Sequence, residues 1–145
     1  MVGPTNPSEE HFHRGIWGFD GDVWRKLQLL FGFGGIVEES LSDTNLDAGL
    51  NSLKGALVPA GEIWVVQNAM ISYVGTAPTK ISIVVTDLAV SLALLAIASP
   101  VSGQDYCWGG TCILQEGDQM SAWVTGATAG DDLYFRYAGY RMEIE

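Results

Sequence analysis

Histidine, basic residues and cysteine are all scarce in this chain of 145 residues, and each scarcity closes off a class of function. The two histidines, His11 and His13, sit together near the start, so no further imidazole exists for a catalytic triad. The cysteines, Cys107 and Cys112, are too few for a tetrahedral zinc site and have the wrong spacing for a C-x-x-C motif. No serine occupies a G-x-S-x-G elbow, and nucleophilic catalysis is not expected. Lysine and arginine number 7 against 17 acids, which gives a formal net charge of −10 and an isoelectric point near 4.4. Such an acid excess repels phosphate backbones and anionic lipid, so neither nucleic acid nor a membrane is an expected partner. The start shows no basic segment leading into an apolar stretch, and no secretory signal is read there. The most apolar run, Ile81 to Ala98, is interrupted by Ser82, Thr86, Asp87 and Ser91. It reads as buried core rather than a membrane span. The expectation is a soluble chain made in a cytoplasm.

Apolar residues, by contrast, are plentiful at 48%, charged residues reach only 17%, and there are 18 glycines. A chain of this length fits one domain and buries roughly 70% of its unfolded surface on folding. Residues 1–15, with two prolines and paired glutamates, read as an N-terminal arm, and 16–145 as a single domain. The punctuation of that domain is all-β. Asp20-Gly21 joins Ile16-Trp17-Gly18-Phe19 to Asp22-Val23-Trp24-Arg25 and predicts a two-residue hairpin within 16–27, with Trp17 facing Trp24. Residues 38–56 are polar and predict a loop with a helical turn after Ser42. Turns are expected at Pro59-Ala60-Gly61, from Gly75 to Pro78, at Gly117-Asp118 and at Gly130-Asp131. Between them lie β-branched and aromatic runs, including Ile63 to Val66, Met70 to Val74, Lys80 to Val85 and Leu133 to Met142. Leu88 to Ala98 carries both helical composition and strand alternation, and its strand neighbours favour a strand. About seven to nine short antiparallel strands predict a β-sandwich or jelly roll.

Within that frame the candidate sites are few. His11-Phe12-His13 could place two imidazoles on one face of a strand, but surface decoration or an interface contact accounts for them better than a metal does. Asp131-Asp132 sits in a glycine turn, where aspartates usually bond their own backbone, so turn chemistry outweighs catalysis or calcium. Trp64 and Trp123 lie in apolar runs and read as core, whereas Trp108, beside Gly109-Gly110, reads as an exposed hairpin tip. That tip would set Cys107 opposite Cys112. The pair then reads equally as free thiols or as a disulfide contributing about 2 kcal/mol. Trp17, Phe19, Trp24 and Arg25 have the composition of an interface hot spot. No cofactor or metal is expected.

Three segments carry a family resemblance. Ile16 to Leu27 reads I-W-G-F-D-G-D-V-W-R-K-L and resembles a motif near the N-termini of tailed-bacteriophage virion proteins. Val58 to Val66 and Gly117 to Met142 are similar to segments of the same kind of protein, and the three together span about half the chain. The resemblance implies a virion structural protein on a β-sandwich, of the capsid-decoration, head-fibre or neck and tail kind, and implies no catalytic residues. The resulting expectation is a non-enzymatic cement protein of the capsid, located on the virion. It would be a homo-oligomer, trimeric if it sits at local three-fold positions, anchored to the major capsid protein through Trp17, Phe19, Trp24 and Arg25. The alternative is a host-recognition module that binds carbohydrate through Trp108, Asp131 and Asp132. A small cupin-like enzyme is a third reading, weakened by having only two histidines.

Overall fold

A computed structural model describes residues 17–19, 24–26, 33–87 and 90–143. Among the described residues ten strands run in chain order: β1 (Trp17–Phe19), β2 (Trp24–Lys26), β3 (Phe33–Asp43), β4 (Gly49–Leu57), β5 (Glu62–Val74), β6 (Lys80–Asp87), β7 (Val90–Ala98), β8 (Asp105–Leu114), β9 (Gln119–Ala127) and β10 (Asp132–Glu143). The first two pair only with each other, and the other eight form two four-stranded antiparallel sheets of order β3-β10-β5-β8 and β4-β9-β6-β7. The pairs β3·β10, β4·β9, β5·β8 and β6·β7 are nested, as if one long hairpin had been folded at β6–β7. Rolling that hairpin up adds the pairings of β10 with β5 and of β9 with β6. This is an eight-stranded jelly roll, so the all-β sandwich expected from the sequence is the fold observed.

Four of the six crossings between the two four-stranded sheets are made by turns of one form. Pro59-Ala60-Gly61-Glu62, Val101-Ser102-Gly103-Gln104, Gln115-Glu116-Gly117-Asp118 and Thr128-Ala129-Gly130-Asp131 each close with the fourth N–H donating to the first carbonyl. The third position is glycine each time, with φ between 77° and 87°, the value a type II turn requires there. The core between the sheets is apolar and tightly closed: Ile71, Ile81, Ile83, Met120, Ala122, Val124, Leu133 and Phe135 are fully buried.

Four expectations are corrected. Residues 38–56 are not a loop but the end of β3 and most of β4; the outward-facing Glu38, Ser40, Ser42, Ser52 and Lys54 are the polar half of an alternating strand pattern. In the first hairpin Phe19 stands opposite Trp24 and Trp17 opposite Lys26, leaving four residues, 20–23, between the strands. The two-residue register and its Trp17–Trp24 pair therefore do not form. Gly109-Gly110 is not a hairpin tip, because β8 runs unbroken through it. Trp123 is half-buried on the outer surface of its sheet, since its neighbours Ala122 and Val124 fill the core. The expected strand over 88–98 is observed as β7, with 88–89 outside the described residues, as are the arm 1–15 and His11 and His13.

Candidate functional site

The residues offered by the sequence do not converge. Asp131 is an internal tie. Its carboxylate accepts from the Tyr73 hydroxyl and from the Thr76 backbone N–H at 3.0 Å, joining the β9–β10 turn to the chain after β5. Its backbone oxygen accepts from the Leu46 N–H, which draws in the β3–β4 connection as well. Tyr73 is fully buried. Burial first, and then the bond to Asp131, push its phenol from 10.0 up to about 12. Asp132 accepts from the Tyr134 hydroxyl at 3.3 Å. Trp108 lies opposite Ala69 and its ring packs against the core. Asp132 lies opposite Val74, five residues along β5 from Ala69, or about 17 Å at a strand's rise. Trp108 and the aspartates are therefore not parts of one site.

Cys107 and Cys112 are free. Both lie on β8, opposite Met70 and Val66 respectively. Cys112 packs against the core while Cys107 is exposed on the other face, so no bond joins them. Burial, with a smaller push from Asp118, raises the Cys112 thiol above its ordinary value. Among the described residues no group of three metal-ligating side chains occurs, and no helix is long and apolar enough to cross a membrane.

What the fold does assemble is the outer face of the β3-β10-β5-β8 sheet. Strand register lays its outward residues in rows across all four strands. One row is Ser42, Tyr134, Ser72, Asp105, and the next is Ser40, Arg136, Met70, Cys107. These rows line a shallow trough of about 510 Å³. Arg136 donates Nε–H to Ser40 Oγ at 3.0 Å, which holds the guanidinium across the sheet. After a row of small or polar residues (Glu38, Ala138, Asn68, Gly109) the face changes character, and the next row is Ile36, Tyr140, Val65, Ile113. Ile63 and Met142 pair beyond it. The outer face is thus polar at one end and apolar at the other.

The switch depends on a bulge. Ala138 pairs with Asn68 but Gly139 pairs with Val66, so Gln67 is an extra residue in β5. After it, Ala69, Ile71 and Tyr73 point into the core; before it, Trp64 and Val66 do. The bulge therefore turns Val65 and Ile63 outward. Opposite it the two backbones come so close that a Cβ on Gly139 would lie 2.0 Å from the Val65 carbonyl oxygen. Only glycine fits there. Ile36 and Ile113, at the two rims of the apolar row, remain 74% and 59% exposed, whereas Val65 between them is 4% exposed. The row thus presents aliphatic surface on its two edge strands and almost none at its centre.

A second uncovered surface lies on the other sheet. Its edge strand β7, V-S-L-A-L-L-A-I-A, has no charged residue, and Val90 and Leu92 are 67% and 64% exposed. The other three edges of the two four-stranded sheets each carry charge: Glu38, Glu39 and Asp43 on β3, Lys54 on β4, and Asp105 on β8. Charged edges resist pairing with foreign strands, and β7 lacks that protection. None of these surface residues was singled out from the sequence. Their signal was only an excess of aliphatic residues over the number a core of this size holds. No protein-family model matches the chain, and no curated protein or solved structure is significantly similar to it.

Proposed function

We propose that this chain is a non-enzymatic structural protein of a tailed-phage virion, a capsid decoration protein that works as an oligomer, trimeric at local three-fold sites. The observation that carries the reading is the pair of exposed aliphatic patches, Ile36 with Ile113 on the outer face and Val90 with Leu92 on the β7 edge, on a chain with net charge −10. Large exposed aliphatic surfaces rimmed by polar residues mark contacts with other proteins. The segments that resemble virion proteins, 58–66 and 117–142, supply Ile63, Val65, Tyr140 and Met142 at the apolar end of the outer face. The acidic remainder of the surface would limit adhesion to DNA and between particles. In this reading Trp17, Phe19, Trp24 and Arg25 contact the shell. Co-sedimentation with purified shells of the phage that encodes the chain tests it. Saturable binding in proportion to shell subunits is expected, weakened at least tenfold by Trp17→Ala with Trp24→Ala. A chain that stays in the supernatant refutes the function, and undiminished binding of the double variant refutes the anchor.

The polar trough favours a second reading, carbohydrate binding during host recognition. Tyr134 offers a ring for stacking, while Arg136 and Asp105 offer a donor and an acceptor to sugar hydroxyls from opposite sides of the trough. Glycan-array binding that is lost in Tyr134→Ala would support it, and silence across cell-surface glycans would remove it.

A further inference from the structure

The polar end of the outer face holds an unsatisfied group at its centre. Ser72 is only 6% exposed, yet its hydroxyl makes no hydrogen bond among the described residues. Ile71 and Tyr73 on either side fill the core, so strand alternation turns Ser72 outward, onto the floor of the trough of about 510 Å³. That volume lies within the roughly 300–1,000 Å³ usual for small-ligand sites.

The walls are equally unspent. Arg136 gives its Nε–H to Ser40 Oγ and has no carboxylate partner among the described residues, although the chain holds 17 acids against 7 bases. The end-on pair of guanidinium nitrogens is therefore left to a ligand. Asp105 has no side-chain partner either. It stands two strands and one row away from Arg136, about 12 Å between α-carbons at the spacing and rise of a sheet. Tyr134 lines the trough beside them, its hydroxyl held by Asp132 at 3.3 Å, which steadies the ring.

We infer that this trough binds a saccharide bearing a carboxylate, a hexuronate, with the carboxylate on Arg136 and ring hydroxyls on Ser72 and Asp105. The inference rests on the carbohydrate reading above and names its ligand class. Two carboxylate oxygens match the guanidinium fork, and such a charge-assisted pair is roughly twice as strong as a bond to a neutral hydroxyl. A neutral sugar would leave the cation without a counter-charge. An ionised Asp105 can only accept, so it suits hydroxyls and repels the carboxylate. The separation of Arg136 from Asp105 thus fixes which end of the ligand lies where. The face of Tyr134 is a platform for the C–H face of the sugar ring. A bare anion would use Arg136 alone and leave the floor and the far wall idle.

Nuclear magnetic resonance titration of the isotope-labelled full chain tests this. The probes are the methyl glycosides of glucuronic, galacturonic and mannuronic acid, each beside its neutral hexoside, with acetate as the bare carboxylate. At least one acid is expected to bind about tenfold tighter than its neutral partner, with shifts at Ser72, Asp105 and Arg136. Arg136→Gln should abolish that preference, and Ser72→Ala should weaken the acid and the neutral sugar alike, with thermal melts confirming that both variants fold. Acid and neutral sugars that bind equally, a preference that survives Arg136→Gln, or acetate binding as tightly as the acids would each overturn the inference while leaving the carbohydrate reading to the glycan array. A chain that binds none of the sugars overturns both.

Discussion

Gly139→Ala is the sharpest test of the bulge that divides the outer face. An alanine Cβ would sit 2.0 Å from the Val65 carbonyl oxygen and 2.8 Å from both the Val65 carbonyl carbon and the Val66 Cα. Side-chain carbons essentially never approach backbone oxygen closer than 3.0 Å, so β10 and β5 must part by about 1 Å. Both strands are central in their sheet, with ladders on either side, and neither can move without stretching hydrogen bonds to a second neighbour. Losing two such bonds costs about 1 kcal/mol each, and desolvated groups left unpaired add about 1 kcal/mol or more. The expected loss is about 3 kcal/mol, which for a chain of this size lowers the melting temperature by roughly 6–12 °C. Gly109→Ala is the matched control. It also replaces a strand glycine, but nothing lies within 4 Å of its added Cβ, and a change within about 0.5 kcal/mol is expected. Urea melts of the three proteins, followed by tryptophan fluorescence, measure both. If Gly139→Ala falls within 0.5 kcal/mol of wild type, the close approach does not exist and the register after Gln67 is wrong.

Further outcomes follow from buried polar groups and thiols. Tyr73 has its phenol raised from 10.0 to about 12, and Tyr137 is raised in the same direction by burial and by its bond to Glu39. The folded state thus holds these protons more tightly than the unfolded chain. Their contribution is complete below pH 10 and is lost as the pH rises towards 12 and beyond. The urea midpoint should fall over that interval, and fall less in Tyr73→Phe; a flat profile to pH 11.5 would contradict the assignment. Tyr137 donates to Glu39, whose same oxygen also accepts from the Ala56 N–H at 3.0 Å. Tyr137→Phe leaves the carboxylate with one of these two donors and should cost about 1.5–3 kcal/mol in the same melts. Cys107 should react within minutes with a thiol reagent in the native protein, and Cys112 only on unfolding, as mass spectrometry of the labelled peptides would show. Equal labelling of both would place Cys112 outside the core.

Local chemistry alone determined much of this protein. Glycine before aspartate or glutamate marks the turns at 59–62, 115–118 and 128–131, because only glycine takes the positive φ at the third position without strain. Alternation in Leu133 to Met142 marks β10 as half-buried, and short strands punctuated by glycine turns point to a two-layer β core. Asp131 departs from its local turn context, because its carboxylate ties Tyr73 of β5 and Thr76 beyond it rather than the backbone of its own turn. Other features needed the fold. The polar stretch 38–56 reads as loop until strands β10 and β9 supply its hydrogen-bond partners. Trp108 and the two glycines after it read as a tip until β5 is seen to pair with β8 on both sides of them. Strict alternation along β5 would also turn Val65 inward with Ala69 and Ile71. The extra residue at Gln67 reverses that, and it arises only where Gly139 lets two backbones meet. A strand's period of two is local, but which half of the alternation faces water depends on register with a partner 70 residues away in sequence. The exposed isoleucines of the outer face and the uncharged edge belong to this second kind, because exposure is a property of the assembled sheets and not of the residues themselves.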